Sequence, residues 1–180
     1  MDLNKELPSY DKYDKIIAAE SRGFIFAAPL ASYNNKGLVL ARKAGKLPLV
    51  GYRETYTLEY GEATIEIPKD AIQPGDRVIV MDDLIATGGS AKAMVNLVRK
   101  AGGIPIMALF LIELRSLEGY KQLGIPVVSI VNYGLHKNDI LQVEGEQHFV
   151  KFIQKIDEDF IEVEKEDKTL IKINKNVIIS

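Results

Sequence analysis

The chain has 180 residues, 47% of them hydrophobic, enough to bury one substantial core and carry a small appendage. Its 23 basic and 25 acidic residues leave a net charge of -2, so nothing global favours nucleic acid or an anionic membrane, and local clusters must supply any anion binding. The absence of cysteine excludes disulfides, thiolate nucleophiles and cysteine-ligated zinc, and the two histidines, His136 and His148, lie in a polar stretch without ligand spacing. The N-terminal residues contain no apolar signal region and no apolar run reaches the ~18 residues needed to span a bilayer, so a cytoplasmic protein is expected.

Residues 1–14 are polar and read as a loose arm leading into a short apolar strand, Lys15 to Ala19. Glu20-Ser21-Arg22-Gly23 reads as a turn, after which Phe24, Phe26, Ala27, Leu30 and Ala31 give a helix an apolar side that ends at Asn34-Asn35. Gly23 would allow close backbone approach to a ligand, and Arg22 offers a planar, permanently charged fork. A second strand, Gly37 to Ala41, runs into Arg42-Lys43-Ala44-Gly45-Lys46-Leu47-Pro48, where the cations form either a solvated face or a pyrophosphate-binding edge. Thr55 to Pro68 alternates as a hairpin joined near Gly61, which reads equally as a mobile lid or a plain edge hairpin.

Pro74-Gly75 precedes the central strand, Arg77 to Met81, whose continuous apolar run suits a strand buried on both faces of a parallel sheet. The strand is expected to end at Asp82 and Asp83, and Ala86 to Ser90 to turn into a helix with Ser90 as N-cap and Gly102-Gly103 as stop. Free N–H groups, the positive end of the helix dipole and glycines at 88 and 89 would hold a phosphate monoester, with Thr87 and Ser90 adding hydroxyl donors. Two carboxylates just before that cradle suit the vicinal hydroxyls of a ribose 5-phosphate. Further strands are expected over Ile104 to Leu114 and Ile125 to Val131, so the pattern predicts an α/β fold with a doubly wound parallel sheet. From about Leu135 apolar residues alternate among dense charges, which predicts three short antiparallel strands in a small C-terminal β appendage. The expected organisation is therefore residues 1–134 as the main domain and 135–180 as an extension used for packing or oligomerisation.

The stretch Val78 to Ser90 resembles the phosphoribosyl pyrophosphate (PRPP) motif of type I phosphoribosyltransferases and lacks the Gly-x-x-x-x-Gly-Lys-Ser/Thr pattern of a P-loop. Ala18 to Phe26, Arg42 to Pro48 and Tyr56 to Gly61 extend the resemblance, over about residues 15 to 134, to adenine phosphoribosyltransferases. That resemblance implies transfer of phosphoribose from PRPP to adenine, giving AMP and pyrophosphate, by a homodimer using Mg2+ carried by PRPP. It implies that Ala86, Thr87, Gly88, Gly89 and Ser90 bind the 5′-phosphate, that Asp82 and Asp83 bind the ribose hydroxyls, and that Ser21, Arg22, Arg42 and Lys46 hold pyrophosphate. Phe24, Leu84 and Tyr60 would line the base pocket, with Glu59 on a flexible lid beside the base nitrogens.

The alternatives are a relative acting on hypoxanthine, guanine or xanthine, or a PRPP-sensing regulator, although no basic helix or face for nucleic acid is present. The family normally carries a longer segment ahead of the first strand, with a Phe-Arg-Asp hood over the base, and the tail from 135 to 180 has no counterpart in its short members. The expectation is ordinary PRPP binding with a high Michaelis constant for adenine, and with Tyr10, Tyr13 or the tail as substitute cover.

Overall fold

The structure, a computed structural model, describes residues 3–9, 12–57, 61–134, 140–143, 150–155, 160–174 and 178–179. Contacts divide the chain into two compact units, Met1–Tyr133 and Gly134–Ser180.

In the first unit a seven-stranded sheet is built from β1 (Lys15–Ala19), β2 (Gly37–Lys43), β3 (Tyr52–Thr57), β4 (Glu62–Ile67), β5 (Arg77–Ile85), β6 (Ile104–Leu114) and β7 (Val127–Tyr133), in the order β3-β4-β2-β1-β5-β6-β7. The five strands β2-β1-β5-β6-β7 are parallel, and the antiparallel hairpin β3–β4 joins the edge through Arg42↔Glu66 and Lys43↔Ile65. Helix α1 (Arg22–Tyr33) follows β1 and α2 (Gly89–Lys100) follows β5. Alternation along the strands sends Ile16, Ala18, Ile79 and Met81 into one core with Ala27, Leu30 and Ala31 of α1. Ile17, Ala19, Val78 and Val80 enter the other, with Ala91, Met94, Val95 and Val98 of α2. The sheet is thus covered on both faces and doubly wound, as its hydrophobic patterning predicts. From β1 the chain winds outward to β2, and from β5 it winds the other way, so the carboxyl ends of β1 and β5 flank a topological switch point, where open α/β sheets bind ligands.

Three local expectations are corrected. β5 does not stop at the charges: it runs on through Asp82 and Asp83 to Ile85 because β6 keeps pairing with it, Asp82 with Phe110 and Ile85 with Glu113. On its other side the pairing with β1 ends at Ala18↔Met81, so Asp82 is the first residue beyond that ladder. Arg22 and Gly23 belong to the first turn of α1 rather than to a loop, and the N-cap of α2 is Gly88, in the left-handed region at φ 85°, not Ser90.

The described part of the arm is packed rather than loose. Leu3–Glu6 form a 3-10 turn, Leu3 and Leu7 pack on the α1-side core, and Asn34 Nδ2 donates to Asn4 Oδ1 at 2.7 Å. Asp14 receives Arg77 Nε at 3.1 Å, Arg77 Nη2 at 3.0 Å and the Arg77 backbone N–H at 2.8 Å. Tyr13, expected as a stacking cover, is fully buried among Ile16, Ala18 and their neighbours just ahead of β1, at the opposite end of the sheet from the switch point. Tyr10 lies outside the described residues.

The second unit is an antiparallel sheet of five strands, not three: β8 (Ile140–Val143), β9 (Val150–Lys155), β10 (Phe160–Glu164), β11 (Leu170–Asn174) and β12 (Ile178–Ile179), ordered β11-β10-β9-β8-β12. Leu141, Val150, Phe152, Ile161 and Val163 form its core. The polar break at Glu166-Asp167-Lys168 is the β10–β11 turn, where Asp167 Oδ1 accepts the Thr169 N–H at 2.9 Å and Lys168 takes φ 70°. The two missed strands are four and two residues long, and β12 pairs with β8, distant in sequence. His136 and His148 lie outside the described residues.

Candidate active site

Two adjoining clefts open at the switch point. The first, about 670 Å³, is lined by Arg22, Tyr56, Thr57, Asp82, Asp83, Leu84, Ala86, Thr87, Gly88, Gly89, Ser90, Leu114 and Leu117. The second, about 550 Å³, is lined by Ala19, Glu20, Ser21, Arg22, Lys43, Lys46, Tyr56, Ile65, Asp82, Asp83 and Ser90. Arg22, Tyr56, Asp82, Asp83 and Ser90 border both.

The turn from β5 to α2 forms the floor of the first cleft. The Lys92 N–H donates to the Gly88 carbonyl at 2.8 Å, the first bond of the helix, so the amides ahead of it have no intrahelical partner. They are joined there by the positive end of the helix dipole and by the Thr87 and Ser90 hydroxyls, the makings of an anion site. Leu84, Leu114 and Leu117 add an apolar wall.

Asp82 and Asp83 differ in surroundings although they are neighbours. Asp83 Oδ2 pairs with Arg22 Nε at 2.6 Å. The Asp82 carboxylate accepts the Asp83 N–H at 2.9 Å, but burial, with the adjacent Asp83 charge added, pushes its pKa up to about 7. Tyr56, opposite, has its pKa raised by burial and then by the Asp82 charge.

Glu20 organises the cations of the second cleft. It accepts from Lys46 Nζ and, at 3.0 Å, from the Lys43 N–H, with Arg42 Nε 3.5 Å away; the Lys46 contact chiefly lowers its pKa. Arg42 Nη1 in turn donates to the Lys46 carbonyl at 3.2 Å. The loop that carries these groups is pinned from beneath by Glu66, which is buried and accepts the Gly45 N–H at 3.1 Å. Gly45 has φ 81°, a backbone state that glycine adopts without strain.

Of the residues expected from sequence, Ser21, Arg22, Lys46, Asp82, Asp83, Leu84 and the whole run 86–90 are brought together around the clefts. Arg42 lines neither cleft and meets the second only through Glu20 and Lys46. Phe24 is a correction: it lies in the first turn of α1 and packs against the α1-side core, not the cleft. Glu59 and Tyr60 lie outside the described residues. Sequence reasoning missed Tyr56, Glu20, Lys43, Leu114 and Leu117 as lining residues. Glu20, Lys43 and Tyr56 stood within recognised stretches, whereas Leu117 occupies a short 3-10 turn with no periodicity to mark it.

The sheet order, the central strand that carries two carboxylates and the phosphate-type turn at the switch point make up the fold of the type I phosphoribosyltransferases. No family model matches the chain. It is 54% identical over 123 residues to the adenine phosphoribosyltransferase of Rubrobacter xylanophilus, covering 67% of this chain and 66% of that protein. It is 52% identical over 120 residues to that of Gluconacetobacter diazotrophicus, covering 67% and 68%. The crystal structure of the Saccharomyces cerevisiae adenine phosphoribosyltransferase, complexed with D-2,5-dideoxy-2,5-imino-altritol 1,6-bisphosphate and adenine, matches 66% of this chain and 68% of its own at a TM-score of 0.65 and 44% identity. The chain belongs to the adenine phosphoribosyltransferase family.

Proposed function

We propose that the chain transfers the phosphoribosyl group of PRPP to adenine, forming AMP and pyrophosphate in purine salvage. The observation that carries this reading is that Asp82 and Asp83 stand on the shared wall of two clefts, one floored by free helix-terminal amides and the other ringed by cations. A ribose 5-phosphate with a diphosphate at its anomeric carbon has that distribution of charge. On this reading Ala86, Thr87, Gly88, Gly89 and Ser90 take the 5′-phosphate, Asp82 and Asp83 the ribose hydroxyls, and Ser21, Arg22 and Lys46 the diphosphate, with Arg42 steadying Lys46.

The reaction breaks the anomeric C–O bond and forms a C–N bond to adenine. Positive charge develops on the sugar ring and negative charge on the leaving diphosphate, so carboxylates beside the ring and cations around the diphosphate stabilise the two halves separately. Arg22 and Lys46 are paired with Asp83 and Glu20, and the diphosphate has to take both cations over from these carboxylates. Leu84, Leu114 and Leu117 offer the base an apolar face. The β3–β4 hairpin is read as a lid that closes over the base and excludes water.

Magnesium fits this donor set as a cation carried by its substrate. Asp82 and Asp83 border the cation-ringed cleft, and Mg2+ commonly keeps substrate phosphate oxygens and waters with one or two carboxylates. When bound, it neutralises the diphosphate. Assembly as a homodimer belongs to the same reading, and the exposed Ile25 and Tyr33 of α1 offer an apolar face for it. No helix among the described residues is long and apolar enough to cross a membrane.

Pyrophosphate release from PRPP and Mg2+ is the test, measured with adenine, hypoxanthine, guanine and xanthine in turn. Release that depends on adenine is expected; release only with another base would reassign the substrate, and none with any base would overturn the reading.

A further inference from the structure

Behind the phosphate-type turn lies the 3-10 segment Gly119–Gln122 that follows β6. Its contacts with the turn are close and complementary. Gln122 Nε2 donates to the Thr87 carbonyl oxygen. A β-carbon on Gly119 would stand 2.6 Å from the Thr87 carbonyl carbon and 2.7 Å from the Gly88 nitrogen, so only glycine lets this segment lie against the Thr87–Gly88 peptide. A β-carbon on Gly88 would overlap the Gly119 carbonyl and come within 3.0 Å of Gln122 Nε2. Leu123 is fully buried and Tyr120 packs on the α2-side core, so the segment is anchored and does not follow the turn if the turn shifts.

An anion site made of backbone N–H groups works only while the carbonyls of the same peptides face elsewhere. The Thr87–Gly88 peptide is exposed to reversal because Gly88 has φ 85° and glycine populates both signs of φ at little cost. In a trans peptide the carbonyl and the N–H lie on opposite edges. Holding the Thr87 carbonyl on the Gln122 side therefore leaves the Gly88 N–H on the other, and Gly88 lines the first cleft whereas Gln122 does not. We propose that Gln122 is a positioning residue for the phosphate-binding turn: its amide fixes the orientation of the Thr87–Gly88 peptide and keeps a carbonyl lone pair out of the 5′-phosphate site. This rests on the reading that the turn binds the 5′-phosphate.

Calorimetric titration with AMP, with PRPP and Mg2+, and with pyrophosphate and Mg2+ tests it in the parent chain and in Gln122→Leu and Gln122→Lys, with Tm recorded for each. Loss of one hydrogen bond predicts that Gln122→Leu raises the Kd for AMP and PRPP about 3–10-fold. The pyrophosphate Kd should stay within about twofold and Tm within about 2 °C. Gln122→Lys, which restores a donor, should recover most of the AMP and PRPP affinity. Unchanged AMP and PRPP affinity in Gln122→Leu would overturn the proposal, as would a Gln122→Lys variant no better than Gln122→Leu. Equal weakening of pyrophosphate alongside AMP would also overturn it, since that marks a general structural loss. A parent chain that binds pyrophosphate but neither AMP nor PRPP would overturn the functional reading itself.

Discussion

Gly23 lies so close to Asp82 that a β-carbon at residue 23 would stand 2.7 Å from Asp82 Oδ1 and 3.4 Å from the Asp82 α-carbon. The close approach that glycine permits here is therefore between the first turn of α1 and a carboxylate at the switch point, and not between backbone and ligand. The α-carbon distance is an ordinary contact, so the overlap is with the carboxylate oxygen, and a side chain at 23 is accommodated only if the Asp82 carboxylate turns away.

Gly23→Ala should consequently displace the Asp82 carboxylate. Overpacking of this kind typically costs about 1–3 kcal/mol. We expect turnover to fall by about tenfold or more, as misplacement of a group at the reacting centre does, with the variant still folded. Initial rates beside circular dichroism and Tm check this, and parent-like turnover would show that the Asp82 position is not critical.

Asp82→Asn should stabilise the protein at neutral pH while severely lowering turnover. The folded-state pKa of Asp82 is about 7 against an ordinary value of 3.8, because burial opposes its charge. Between those values the native state binds more protons than the unfolded state, so this group's contribution to stability declines as pH rises through the window. The asparagine variant carries no such penalty and should exceed the parent by about 1–3 kcal/mol above pH 7, converging with it toward pH 4. Thermal denaturation at several pH values measures the difference, and a pH-independent gap would contradict the cause given.

Gly88→Ala is expected to impair folding of the turn and ligand binding together. The structure directs a β-carbon at residue 88 toward the Gly119 carbonyl, behind the turn and not into the phosphate site. The left-handed φ of 85° adds about 1 kcal/mol of strain. Tm should drop by several degrees as PRPP affinity falls; lost affinity with unchanged Tm would instead favour direct blockage.

Asp14→Asn should remove a part of the protein's stability that the parent loses in acid. Arg77 holds the Asp14 pKa at about 2, below its ordinary value of 3.8. That stability is present above the unfolded value and is lost as pH falls from about 3.8 toward 2. Both side chains are more than a third exposed, so screening limits the effect to about 1 kcal/mol. Urea denaturation at pH 7 should show this loss in the variant, and the gap should close near pH 2.

Features that depend on near neighbours along the chain are legible in the residues alone. The period of apolar residues placed β1, β5, α1 and α2, and the order hydrophobic run, two acids, glycine turn, helix located the first cleft and seven of its lining residues before any packing was known. Such signals are local because a strand's alternation and a helix's free N-terminal amides are properties of consecutive residues. Tertiary structure decided everything set by pairing across the chain. β5 reaches Ile85 because β6 continues beside it, and Asp82 faces the crevice because β1 has stopped. Tyr13 is core in a cluster that Leu3 and Leu7 pack against, while Phe24 packs on the same core and away from the cleft. The partnership of Glu20 with Lys46, the wall at Leu117 and the backing of Gly88 by Gly119 join residues with no sequence spacing to announce them. They exist only once the sheet has brought separate strand ends to one edge.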